Sequence, residues 1–395
     1  YDGVWNFTFS PDGSKYGWIY SIQTTIEGKR ILTPAQEAAQ TGSEETYTRY
    51  YVQINDKTYG PYDSLEDEYF GIAHIAFSPD SSKYGWWFKK DNKWYIQIND
   101  KIYGPYDGVS WPITFFSDSS RYRWVYIKDN KRYVQINDKI YGPYDGVWYV
   151  IFSTDGSKYG WTYEKGGKEY IQINDKIYGP YGDVGGLNFS PDGSKYGWWY
   201  IKDNQYYFQI NGKIYGPYDE AVVFDFSPNG LNYGLEFKKD YKYYVQINDR
   251  IYGPYDNPVV FNFSYNGSKY GWVYTKDNKY YVQINDENYG PYDDASHPTF
   301  SPDSSKYGWK YKKDGEWYIQ INDKIDGPYD DAGYLTFSIY GSKYGWLYKK
   351  DGKYYIQIND KTYGPYNAAT FTFTKDNKAY ISYIIDDEVV IEEVE

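Results

Sequence analysis

The chain has 395 residues, of which 57 are tyrosine, 15 tryptophan and 19 phenylalanine, with neither cysteine nor methionine. The absence of cysteine excludes a disulfide framework, a zinc–thiolate site, an iron–sulfur cluster and a thiol nucleophile, and a formal charge of −12 argues against nucleic acid and anionic membrane as partners. No apolar run reaches the roughly 18 residues of a bilayer span, so no membrane insertion is expected.

The first predicted element is a strand ending at Phe9, followed by the turn Ser10-Pro11-Asp12-Gly13, whose proline and glycine occupy the positions such a turn favours. Lys15 to Tyr20 is the second strand, with Tyr16, Trp18 and Tyr20 alternating against Gly17 and Ile19. An insertion, Ile22 to Arg49, then stands where a hairpin turn is expected. Within it Thr33 as N-cap, Pro34 at the first helical position, Gln36 as capping-box partner and Gly42 as the stop predict a short helix. The third strand carries Gln53-Ile54-Asn55 and leaves through a tight Asn-Asp hairpin. The fourth ends at Gly60-Pro61-Tyr62, and because proline donates no hydrogen bond it is predicted to be an edge. A second insertion, Ser64 to Phe70, precedes the next first strand.

From here the unit repeats. Its Gly-Pro-Tyr glycines are Gly60, Gly104, Gly142, Gly179, Gly216, Gly253, Gly290, Gly327 and Gly364, the last seven at intervals of 37 residues. First strands end at Phe9, Phe77, Phe116, Phe152, Phe189, Phe226, Phe263, Phe300, Phe337 and Phe373. Four antiparallel strands per unit, joined by minimal hairpins and repeated without linkers, predict an all-β propeller rather than a β-helix. Gly271 and its counterparts are expected to let a neighbouring blade's ring approach. The count predicts one repeat domain over residues 1–395 with about ten four-stranded blades; nine blades plus a cap, or two fused five-bladed rings, are the alternatives. The last blade, 368–395, is degenerate and expected to hold three strands, with Glu388, Glu392, Glu393 and Glu395 guarding its outer edge.

Phe9 to Trp18 and Phe189 to Trp198 both read Phe-Ser-Pro-Asp-Gly-Ser-Lys-Tyr-Gly-Trp. This stretch resembles the link between the first two strands of TolB-like and WD-type β-propeller repeats. The Gly-His and Trp-Asp dipeptides of WD repeats are missing, so the TolB-like repeat is the nearer resemblance. It implies a fold and leaves the function open.

Function is sought where the copies differ. The two insertions are expected on one rim, and Ile31, Leu32 and Glu37 with Glu66, Asp67, Tyr69 and Phe70 are the expected partner-binding residues. The segments after Gly-Pro-Tyr diverge most, and Trp111, Trp148, Asp225 and His297 are expected at the mouth of a central channel. His74 and His297 are the only histidines, and no Asp-x-Asp-x-Asp-Gly loop occurs, so neither a metal nor a cofactor is expected. Near-identical units also blur a unique catalytic centre. The expectation is therefore a non-enzymatic scaffold for a protein partner, secreted or on the cell surface as the lack of oxidisable sulfur suits. The alternative is a multivalent glycan-binding propeller using exposed rings. A distant third is a glycoside-active enzyme built on Asp225 with Asp183, Glu220, Asp294 and Asp331 nearby.

Overall fold

The computed structural model describes residues 2–27, 44–67, 71–72, 74–257, 259–385 and 388–394, and every regular element among them is a β-strand. The chain divides into two compact units, Tyr1–Gly179 and Pro180–Glu395. Ten antiparallel sheets of the β-propeller blade type follow one another along it. They span residues 3–62, 76–106, 108–144, 146–181, 183–218, 220–255, 262–292, 294–329, 331–366 and 369–394, numbered here as blades 1 to 10. Within each blade the strands pair in chain order, so the fold is a series of meanders, with the Gly-Pro-Tyr strand outermost in blades 1 to 9.

Blade 10 has three strands, as expected from its sequence. In blades 8 and 9 the first strand is broken into two short pieces, Asp294–Ala295 with Thr299–Phe300 and Asp331–Ala332 with Thr336–Phe337. Blade 3 corrects the alignment of the first strands: Phe115 pairs with Tyr122 as Phe77 pairs with Tyr84, so Phe116 occupies the place of Ser78. The first insertion is largely strand at its ends. Tyr16–Glu27 and Glu44–Ile54 stay in register from Gly17 opposite Ile54 out to Glu27 opposite Glu44. The predicted helix lies outside the described residues.

The aromatic surplus sits mostly between blades. Within each unit, the second strand of an internal blade turns one face towards the preceding blade and the other towards the following one. The preceding-blade face carries the tryptophans, and Trp86, Trp124 and Trp161 are fully buried there in the first unit. The Gly-Pro-Tyr tyrosine reaches across to the next blade, where Tyr62 stacks on Phe88 at 4.1 Å and Tyr106 on Tyr126 at 4.0 Å. A third-strand tyrosine completes each stack, as Tyr95 does against Phe88 at 5.3 Å. Two glycines make this geometry accessible. A Cβ on Gly234 would lie 2.3 Å from the ring of Phe261 in the next blade, which is the close approach expected of this position. At Gly104 φ is +128°, and a Cβ would lie 2.8 Å from the Tyr95 ring and 2.9 Å from the Trp94 carbonyl.

Candidate functional site

Most polar residues of the repeat are engaged in joining blades. In the first turn Ser10 Oγ donates to Asp12 at 2.8 Å, and Asp12 also accepts from the Ser14 N–H at 2.9 Å. The Asp12 N–H then donates to Ser81 Oγ, and Lys15 Nζ to the Ser81 carbonyl, in the turn of blade 2. The Ser14 N–H and the Ser10 hydroxyl hold the Asp12 carboxyl well below the usual carboxylate range. The aspartate after Gly-Pro-Tyr is also a clamp: Asp107 accepts from Lys93 Nζ at 2.6 Å and from the Asp129 N–H, in the hairpin of blade 3, at 2.7 Å. The Gln-Ile-Asn signature has a role for each residue. Gln135 accepts from the Tyr106 hydroxyl of blade 2 at 3.2 Å, Ile136 is buried, and Asn137, at φ 50°, accepts from the Tyr122 N–H at 3.0 Å.

The departures from the repeat are therefore the informative residues. Among the expected channel-mouth residues, Trp111 lies on the first strand of blade 3, and Trp148 is partly exposed on that of blade 4, its carbonyl accepting from Thr162 Oγ1. Asp225 accepts from Asn188 Nδ2 at 2.9 Å, one repeat upstream, and desolvation raises its pKa. His297 lies in the gap of the first strand of blade 8, exposed on the surface and hydrogen-bonded to the Val260 backbone.

Three residues that sequence reasoning missed stand where the repeat is apolar or glycine. Glu236 is fully buried; its Oε1 accepts from the Val259 N–H in blade 7 at 2.7 Å, and its Oε2 lacks a hydrogen-bond partner among the described residues. Burial pushes its carboxyl up to about 7. Lys310 donates to the Ala332 carbonyl of blade 9 at 3.1 Å, with its ammonium 4.6 Å from the Trp317 ring and 4.4 Å from that of Tyr334. Arg123 replaces the second-strand glycine of blade 3 and donates to the Val150 carbonyl of blade 4 at 3.3 Å. The structure thus brings Glu236 and His297 to adjacent residues, Val259 and Val260, of one irregular first segment. Lys310 faces the next break. The visible signal was Glu236 and Lys310 themselves, at the variable position of the second-strand pattern.

Of the expected partner-binding residues, Ile31, Leu32, Glu37, Tyr69 and Phe70 lie outside the described residues. Glu66 and Asp67 form a short strand paired with Gly71–Ile72. The two insertions share a root, where the Arg49 guanidinium is paired with the Asp63 carboxylate. A separate notch of about 400 Å³ lies between blades 5 and 6, lined by Pro217, Tyr218, Phe237, Asp240, Tyr244 and Ile251 among others.

No protein-family model matches the chain. No curated protein matches it either. Solved structures similar to it include the Dos1 propeller, at 12% identity over 81% of this chain and 91% of that one with a TM-score of 0.32. TolB from Acinetobacter baumannii matches at 14% identity over 62% and 75%, with a TM-score of 0.26. The β-propeller domain of the Trilobed protease from Pyrococcus furiosus matches at 12% over 74% and 97%, with a TM-score of 0.29.

Proposed function

We propose that this chain is a non-enzymatic binding scaffold of TolB-like repeats, secreted or displayed at a cell surface, that holds a protein partner on the ribbon of blade 1. The observation carrying this reading is the ladder from Gln23 opposite Thr48 to Glu27 opposite Glu44, five pairs by which the ribbon outruns the second-to-third-strand hairpins of the other blades. Blade 2, by contrast, turns at Lys90 opposite Lys93. An added projection on an otherwise uniform series is where a scaffold gains a specific contact. Gln23 and Tyr47 are exposed on this ribbon. With photo-crosslinkers at these two positions, the partner is expected to crosslink there, and replacing residues 22–49 by an Asp-Gly hairpin should abolish its binding. Retention of the partner by the shortened chain would refute the reading.

A second reading is glycan binding at the notch between blades 5 and 6, which joins rings and a carboxylate in the manner a sugar requires. The same residue types recur from blade to blade, so weak sites would sum through avidity. On a glycan array Tyr244→Ala should then weaken binding; an array without signal removes this reading.

A further inference from the structure

The first strands of blades 1, 4 and 5 share one irregularity, a bulge whose first residue has a left-handed φ. In blade 1 the register shifts between Trp5 and Thr8, and Asn6 has φ 51°. In blade 5 it shifts between Gly185 and Asn188, and Gly186 has φ 64°. Asparagine and glycine are the residues that accept this conformation most readily. Blade 4 makes the same bulge between Trp148 and Ile151, but with Tyr149 at φ 50°. A bulky side chain is disfavoured there, and burial does not compensate, since Tyr149 is 63% exposed. The adjacent Trp148 is 39% exposed, whereas Val147 and Val150 are buried. The two residues that this strand exposes are therefore both aromatic, and one of them is held in a strained backbone. Strain retained at an exposed ring points to function rather than folding.

We propose that Trp148 and Tyr149 form an aromatic platform for a neutral sugar ring. No charged residue occurs from Gly146 to Phe152, so the strand offers nothing that selects a charged ligand. The Arg123 guanidinium, which donates to the Val150 carbonyl, is buried in the joint between blades 3 and 4 and is not presented to solvent. Exposed π-faces fit the C–H face of a pyranose, and the phenol and indole tips supply donors for its hydroxyls. An apolar peptide would be met by aliphatic surface, which this strand buries at Val147 and Val150. The platform shares no residue with the notch between blades 5 and 6 and stands without it.

The full chain applied to an array of neutral oligosaccharides should bind. Tyr149→Asn, which restores the residue type of blade 1 at this place, should weaken that binding about tenfold or more. Its urea midpoint should be equal to or above that of wild type, because the strain is relieved. Trp148→Ala should weaken binding to the same glycans, and Tyr244→Ala in the notch should not. The inference is overturned by a wild-type chain that binds no neutral glycan, or by full binding in Tyr149→Asn or Trp148→Ala. A midpoint of Tyr149→Asn below wild type also overturns it, since the tyrosine would then be a packing residue. Loss of binding through Tyr244→Ala alone would move the glycan to the notch and overturn it equally.

Discussion

At the second-strand position that holds Val125 in blade 3 and Val273 in blade 7, blade 6 carries Glu236, and the consequence is a pH dependence opposite in sign to that of the repeat's turn aspartates. The folded carboxyl is raised to about 7 from an ordinary 4.5, so the folded chain holds this proton more tightly than the unfolded one. Its contribution is most favourable below about 4.5 and is lost as pH rises towards 7. The full difference is on the order of 3 kcal/mol. His297 acts in the opposite sense, because partial desolvation at the blade surface lowers its pKa. Urea unfolding of wild type and Glu236→Gln at pH 5 and pH 8 isolates the glutamate: the variant should match wild type at the lower pH and exceed it at the higher. Equal pH slopes for the two proteins would refute the assignment. Gly104 offers a second test at this scale. With φ at +128° and the Tyr95 ring against its open side, Gly104→Ala should lose about 2 kcal/mol or more, read by the same unfolding curves.

Among the elements, the turn between the first and second strands shows how one short motif serves two purposes. Its aspartate closes the turn internally, and the turn reaches the next blade through backbone and lysine donors. In blade 8 the Ser301, Ser305 and backbone donors lower the Asp303 carboxyl to about 2. Blades 6 and 7 make the same bonds with Asn229 and Asn266. Acceptor geometry therefore matters here more than charge. Asp303→Asn should be nearly neutral, whereas Asp303→Ala should lose about 1 kcal/mol, as one deleted hydrogen-bond acceptor does; thermal melts of the pair decide. The turn itself was legible in the sequence because serine, proline, aspartate and glycine each carry a local preference. Its reach to Ser81 or Ser304 was not, since nothing local marks a donor whose acceptor lies one repeat away.

At the scale of the whole chain, blades that cover one another within each unit predict stability summed from blades and joints. Blade 10 covers Ile356 and Ile358 of blade 9 with Ala379, Ile381 and Val394. Removing residues 368–395 should uncover that face and speed amide exchange in strands Tyr344–Lys350 and Lys353–Ile358, while Tyr122–Lys128 in the first unit keeps its protection. Uniform loss of protection would instead mean that the chain unfolds as one body.

The sequence by itself determined the strands, their order within each blade, the outermost place of Gly-Pro-Tyr and the three-stranded last blade. Alternation and turn chemistry act over a few residues and recur about ten times, so each copy corroborates the others. Only the tertiary structure decided which side of a strand is covered. It buried Glu236, aimed Lys310 at Ala332 and brought His297 to Val260. Alternation distinguishes the two faces of a strand but carries no record of what lies against either. Burial depends on what the neighbouring blade presents, and for that reason one second-strand position buries Glu236 in blade 6 and Val125 in blade 3.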